Sequence, residues 1–108
     1  MEEENKEYEI ERSGTRNLKF SGRIIASATT RDNRSTRWSN YNIYQTARGK
    51  YVFASAEISM WEGETGSYDA EVYTSPQEIF EKEGGRVGFE ILKDLARQLN
   101  YDLSKHID

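Results

Sequence analysis

The chain has no cysteine, one proline and one histidine among its 108 residues. The lack of cysteine excludes disulfides and thiolate metal sites. The histidine, His106, lies close to the end of the chain, where a mobile side chain makes a poor general base. No apolar run approaches the roughly 20 residues that cross a membrane, and the acidic N-terminus does not read as a secretory signal. We therefore expect a cytoplasmic protein that is not an enzyme and does not contact a membrane.

The charges that are present are unevenly distributed. Residues 13–50 carry a net charge of +7, whereas residues 1–12 carry −4 and residues 51–108 carry −7. The overall charge of −4 therefore hides a basic block between two acidic segments. Charge asymmetry of this kind points to an anionic partner. The alternative is that the basic block pairs with the acidic half of the same chain.

Alternating hydrophobicity predicts five β-strands in the first two thirds of the chain. They are expected at residues 7–11, 18–28, 38–46, 51–61 and 68–73, with a Gly49 turn between the third and fourth. In the second strand, one face carries the apolar positions Leu18, Phe20, Gly22, Ile24, Ala26 and Ala28. Gly22 is a candidate for a bulge or bend in that strand.

Helix signals follow the last predicted strand. Ser75 can cap a helix that starts at Pro76, and Glu78 completes a capping box. An apolar stripe predicts a second helix over residues 89–100. The sequence thus predicts an α+β fold, an antiparallel five-strand meander (a twisted sheet) packed by two C-terminal helices. Residues 1–6 are expected to be a disordered tail, and residues 7–108 a single domain.

Three segments resemble a known family. LKFSGRII (residues 18–25) is similar to the F-x-G-x-L-L strand of the small bacterial EXLDI proteins, and IYQTARGKYV (residues 43–52) resembles their Y-x-T-x-x-G-K-x-V hairpin. EVYTSPQE (residues 71–78) looks like their V-x-x-S-x-E-E step from strand to helix. The resemblance spans about residues 18–82, but the C-terminal Glu-x-Leu-Asp-Ile signature is absent. Because the family has no firmly known activity, the resemblance implies the fold more than the function.

Aromatic side chains are interspersed with the cations of the basic block, a combination suited to phosphates and stacked bases. Arg31, Arg34 and Arg37 lie in or beside one polar loop, where three guanidinium groups can converge on phosphates. Trp38 and Tyr44 are the expected stacking residues. The other cations expected on the same patch are Lys19, Arg23, Arg48 and Lys50. This pattern predicts a non-enzymatic binding or regulatory module that recognises RNA, DNA or a nucleotide-like ligand.

The acidic remainder supports a second hypothesis, an inhibitor or regulator of phage or plasmid type that acts by protein–protein interaction. Its interface would combine exposed aromatics with carboxylates, and aromatics are typical of binding hot spots. The candidate interface residues are Phe53, Trp61, Glu62, Glu64 and Asp69. A homodimer is a further possibility.

The acidic hairpin at residues 61–69 also gives a third hypothesis, a calcium site. Glu62, Glu64 and Asp69 place oxygen ligands around a glycine, which suits a hard cation. Their spacing does not match the twelve-residue EF-hand loop, and a hairpin turn needs the glycines in any case. Calcium is the one metal or cofactor that the sequence suggests.

Overall fold

The chain folds as a five-stranded antiparallel meander followed by two helices, in a computed structural model that describes residues 5–61 and 66–103. The strands are β1 (Lys6–Ile10), β2 (Leu18–Thr29), β3 (Arg37–Thr46), β4 (Tyr51–Ser59) and β5 (Ser67–Tyr73), and the helices are α1 (Pro76–Glu83) and α2 (Phe89–Gln98). Each strand pairs with its neighbour in sequence. The predicted α+β meander is confirmed, although β1 begins at Lys6, inside the expected tail.

A bulge in β2 changes which side chains share a face. Ile24 lies opposite Tyr44, but Ala26 lies opposite Ile43, so the pairing register shifts by one residue. An extra residue reverses the alternation of side chains along a strand. The prediction that residues 18–28 present one continuous apolar face is therefore wrong, because Ala26 and Ala28 point to the opposite side from Phe20.

The two helices cover one face of the sheet. Ser75 accepts a hydrogen bond from the Glu78 N–H at 3.2 Å and so begins α1 as a capping residue. The main core on this face comprises Ala26, Ile43, Phe53, Ile79, Phe80, Val87, Leu92, Leu95 and Ala96. Helix α2 is also fastened to β2, because the Gln98 side chain accepts from the Ser27 N–H (2.9 Å) and donates to the Ser27 carbonyl (2.7 Å).

The opposite face is covered by the sheet itself, which curls so that the β1–β2 hairpin reaches β5. The Ser13 N–H donates to the Tyr68 carbonyl at 2.8 Å, and the Tyr68 N–H donates to the Ser13 hydroxyl at 2.9 Å. Beneath the curl, the Tyr44 ring lies 4.8 Å from Tyr8 and 5.3 Å from Phe20, centroid to centroid. The second core therefore unites Tyr44, Val52, Ala54 and Ala70 with Tyr8, Ile10, Leu18 and Phe20.

A buried carboxylate links α1 to β5. Glu83 is only 4% exposed, and it accepts hydrogen bonds from the Tyr73 hydroxyl and the Arg86 guanidinium. Arg86 also lies 3.5 Å from Asp69, measured from Nη1 to Oδ2. Burial and the Glu83 contact raise the pKa of Tyr73, and the hydrogen bond to Glu83 raises the pKa of Arg86. These hydrogen bonds compensate for the burial of the negatively charged Glu83 side chain, which α1 places against the sheet.

One end of the sheet projects beyond both cores. No residue from Ser27 to Asn42 is fully buried, although this segment includes the end of β2 and half of β3. The radius of gyration is 14.8 Å, against about 13 Å for a compact domain of this length. The loop between β2 and β3 therefore lies away from the helices and is exposed to solvent.

Candidate anion-binding sites

The structure divides the basic block between the two ends of the sheet. In a meander, the β2–β3 and β4–β5 connections lie at one end, and the β1–β2 and β3–β4 connections lie at the other. Strand β2 joins the two ends with 12 residues, a span of roughly 40 Å. Arg31, Arg34 and Arg37 lie at the first end, so they do not form one patch with the cations of the second end, Lys19, Arg48 and Lys50.

We call the first end the arginine end, comprising Thr30 to Trp38 with Met60 and Trp61. Its loop is organised by Asp32, whose Oδ1 accepts from the Arg34 N–H at 2.8 Å and from the Ser35 hydroxyl at 3.0 Å. These hydrogen bonds, led by the one from the Arg34 backbone, lower the pKa of Asp32. The side chains of Arg31 and Arg34 are therefore carried on a turn of defined geometry.

An arginine and a tryptophan are stacked at this end. The Arg31 guanidinium carbon lies 4.3 Å from the centroid of the Trp38 ring, which is cation–π distance. The Thr30 N–H donates to the Ser39 carbonyl at 2.9 Å, and the Ser39 N–H donates to the Thr30 hydroxyl at 2.8 Å. These bonds hold the start of the loop against β3, so the stacked pair sits on a fixed base.

A polar groove of about 410 Å³ runs beside the stacked pair. Its lining residues are Thr30, Arg37, Trp38, Ser39, Glu57, Ile58, Ser59, Gly66 and Ser67. The groove thus combines hydroxyl groups, one guanidinium group and one carboxylate. Met60 and Trp61, which are 64% and 54% exposed, lie in the neighbouring β4–β5 connection. The arrangement offers hydrogen-bond donors for an anion and apolar surface for a flat or apolar group.

The second end contains a smaller cavity of about 340 Å³, which we call the hairpin pocket. It is lined by Leu18, Lys19, Phe20, Ser21, Thr46, Ala47, Arg48, Lys50, Val52 and Val72. The β3–β4 turn forms one side of it, with Gly49 at a φ of 86°. The Ala47 N–H donates to the Ser21 carbonyl at 2.8 Å, which fixes this turn against β2.

Within the described residues, few cations of the basic block form ion pairs with the chain's own carboxylates. Lys19 lies 3.8 Å from Glu9, and both side chains are more than half exposed. Within residues 5–61 and 66–103, no carboxylate lies within ion-pair distance of Arg31, Arg34, Arg48 or Lys50. Asp69, a carboxylate of the acidic half, lies against Arg86, which is outside the basic block.

Two of the predicted site residues are buried and cannot act as expected. Tyr44 is 5% exposed between Tyr8 and Phe20, and burial raises its pKa. Phe53 is 1% exposed under the helices. The stacking role predicted for Tyr44 and the interface role predicted for Phe53 are therefore wrong. Arg23 lies opposite Gln45, close to the end of β3, and donates to the Gln45 side chain at 3.2 Å.

The acidic hairpin can be examined only in part. Glu62 and Glu64 lie outside the described residues, and Asp69 has Arg86 as its neighbour. The described part of the chain contains no group of three potential metal ligands. Its helices are also too short and too polar to cross a membrane.

Sequence reasoning missed Met60, the hydroxyl-lined groove and the hairpin pocket. The alternation in β4 gives a signal for Val52, but its partner Val72 becomes a pocket wall only through β4–β5 pairing and the curl of the sheet. No family model matches this chain, and no match was found among curated proteins or solved structures. The resemblance to the EXLDI proteins stays a prediction.

Proposed function

We propose that this protein is a non-enzymatic binding module whose arginine end binds a short single-stranded segment of RNA or DNA. The observation that carries the proposal is the Arg31–Trp38 stack on a projecting loop that also bears Arg34 and Arg37. Arginine and tryptophan together supply what single strands need, a charged contact for phosphate and a flat surface for a base.

We propose a role for each group at the arginine end. Because the Arg31 guanidinium covers one face of the indole, a base stacks on the outer face of the guanidinium plane, as bases do on arginine in RNA complexes. Arg34 and Arg37 bind the flanking phosphates through charge-assisted hydrogen bonds. The groove hydroxyls of Ser39 and Ser59 are placed to contact a sugar or phosphate oxygen.

The net charge of the protein restricts this binding. At −4 overall, most of the surface repels a polyanion, so the contact is confined to the arginine end. Two neutralised phosphates, at Arg34 and Arg37, give a slope of about −1.4 for the logarithm of the association constant against the logarithm of the salt concentration, from about −0.7 per phosphate for single strands. Affinity then falls about sevenfold between 50 and 200 mM NaCl, by the same relation.

The test is a salt titration of a fluorescein-labelled 12-nucleotide single strand, followed by anisotropy. The double variant Arg31→Gln/Arg34→Gln is expected to weaken binding and reduce the slope to about −0.7, which corresponds to one phosphate. The matched control, Arg48→Gln/Lys50→Gln, removes two cations from the other end and is expected to leave both quantities unchanged. Undetectable binding, or a slope that is the same in all three proteins, would contradict the proposal.

A second candidate function is recognition of a protein, as an inhibitor or regulator. The exposure of Met60 and Trp61 next to the three arginines favours it, since large apolar side chains with arginine are typical of interface hot spots. It predicts that Trp61→Ala abolishes the capture of a protein partner that Arg48→Gln/Lys50→Gln still binds. A partner held equally by both variants would exclude this end as the interface.

A further inference from the structure

The hairpin pocket combines an apolar interior with a cationic mouth. Its floor is Val52, which is 1% exposed, and Val72 forms a wall although nearly half of that side chain faces solvent. Leu18 and Phe20 close the other side, where the β1–β2 hairpin curls over the sheet. A half-exposed valine beside a concave apolar surface is a position where an apolar ligand removes area from water.

The backbone that carries the charged groups at the mouth is fixed by the fold. Arg48 and Lys50 flank Gly49 in a turn closed by hydrogen bonds from the Thr46 N–H to the Lys50 carbonyl (2.8 Å) and from the Lys50 N–H to the Thr46 hydroxyl (2.9 Å). In the described part of the chain, neither side chain has a carboxylate within ion-pair distance. The third cation, Lys19, is only loosely engaged by Glu9 at 3.8 Å.

We infer that the hairpin pocket binds a small amphipathic anion, a medium-chain carboxylate with its apolar chain against Val52 and Val72. The volume of about 340 Å³ lies at the small end of the range for ligand pockets, so the apolar group is short. Arg48 and Lys50 at the mouth complement one carboxylate, and among the described residues no acidic side chain lines the pocket. This site is separate from the arginine end and does not depend on nucleic-acid binding there.

The experiment is a titration of the full ¹⁵N-labelled chain with octanoate, followed by amide chemical shifts. Saturable shifts are expected at Val52, Val72 and the β3–β4 turn, and not at Arg31 or Arg34. Octan-1-ol, which has the same chain without the charge, and butyrate, which has the charge on a short chain, are each expected to bind at least tenfold more weakly.

Two variants and one control complete the test. Val72→Glu places a carboxylate in the wall and is expected to abolish the saturable shifts, while Arg48→Gln/Lys50→Gln is expected to weaken binding at least tenfold. Arg31→Gln/Arg34→Gln is the control and is expected to bind octanoate normally even if it loses nucleic acid. Equal affinity for octan-1-ol, shifts scattered over the surface, or binding unaffected by the mouth variant would each overturn the inference. Shifts produced only by anionic vesicles and not by free octanoate would also overturn it.

Discussion

The buried carboxylate of Glu83 allows a quantitative test of what holds α1 against β5. In Arg86→Met, the apolar stem remains but the guanidinium is lost, so within the described part of the chain the Glu83 carboxylate keeps only the Tyr73 hydroxyl as a donor. A hydrogen bond to a charged group contributes about 1.5–3 kcal/mol, and removing one partner of a fully buried pair costs about 3–5 kcal/mol. Arg86 itself is half exposed, so water replaces part of the interaction. We expect a loss of about 2 kcal/mol in the free energy of unfolding.

The assay is urea unfolding at pH 7, followed by tryptophan fluorescence and by circular dichroism. A loss of that size lowers the midpoint of thermal unfolding by about 10 °C for a domain of this length. The matched control is Arg97→Met, which removes an exposed arginine that contacts Asp94 at the same spacing of three residues. Exposed pairs of this kind contribute about 0.5 kcal/mol or less.

The loss of stability in Arg86→Met is expected to come from the buried charge of Glu83, which is left without its cationic partner. Adding Glu83→Gln to Arg86→Met removes that charge, so the double variant is expected to be more stable than Arg86→Met alone. If Arg86→Met unfolds within 0.5 kcal/mol of Arg97→Met, a threshold set by exposed pairs, the network does not stabilise the fold as argued.

Three further predictions follow from local geometry. The pKa of Tyr73 is raised above its ordinary value of 10.0, so its contribution to stability is present below pH 10.0 and is lost at higher pH; the free energy of unfolding should fall above pH 10 in the wild type and less steeply in Tyr73→Phe. In Gly22→Ala, the new Cβ would lie 2.4 Å from the Gln45 carbonyl oxygen, and we expect about 2 kcal/mol of destabilisation in urea unfolding, whereas Gly85→Ala meets no atom within 4 Å and should be near neutral. Asp32→Ala removes the acceptor of the Arg34 N–H, so hydrogen exchange at that amide should accelerate while the exchange of core amides stays unchanged. In the wild type, the pKa of Asp32 is lowered from its ordinary value of 3.8, so the protection of the Arg34 amide should be lost only as the pH falls below 3.8.

The sequence predicted the elements of this fold well because their signals are local. The capping residues Ser75 and Glu78 start α1 where expected, and the alternation of five segments gives the five strands. The sequence suggested Gly22 as a bulge or bend in β2, but the register shift lies between Ile24 and Ala26. Its position was not predictable, because Ile24, Ile25 and Ala26 are all apolar and a shift of one residue leaves apolar side chains on both faces. Only pairing with β3 shows where the extra residue lies.

The candidate site was harder to predict because it depends on which distant residues the fold brings together and which it separates. Arg31 and Arg34 share the loop between β2 and β3, so their proximity along the chain follows from the sequence alone. The predicted meander also implies that Arg31 and Arg34 lie far from Arg48 and Lys50, because it places successive connections at opposite ends of the sheet. Burial of Tyr44 is different, since it arises from the curl that brings Ser13 to Tyr68, residues 55 positions apart.

The Gln98 amide makes two hydrogen bonds with the Ser27 backbone, in the position where a further strand would pair with β2. Among the described residues, β1 pairs with residues 18–22 of β2, and in this part of the chain the remainder of β2 has β3 on one side and no strand on the other. Open edges of this kind invite pairing with other chains. These hydrogen bonds come from the last turn of α2. The open edge of β2 can therefore pair with neighbouring molecules until α2 has docked on the sheet. Assembly of this protein in a crowded cell therefore depends on how soon its C-terminal helix forms.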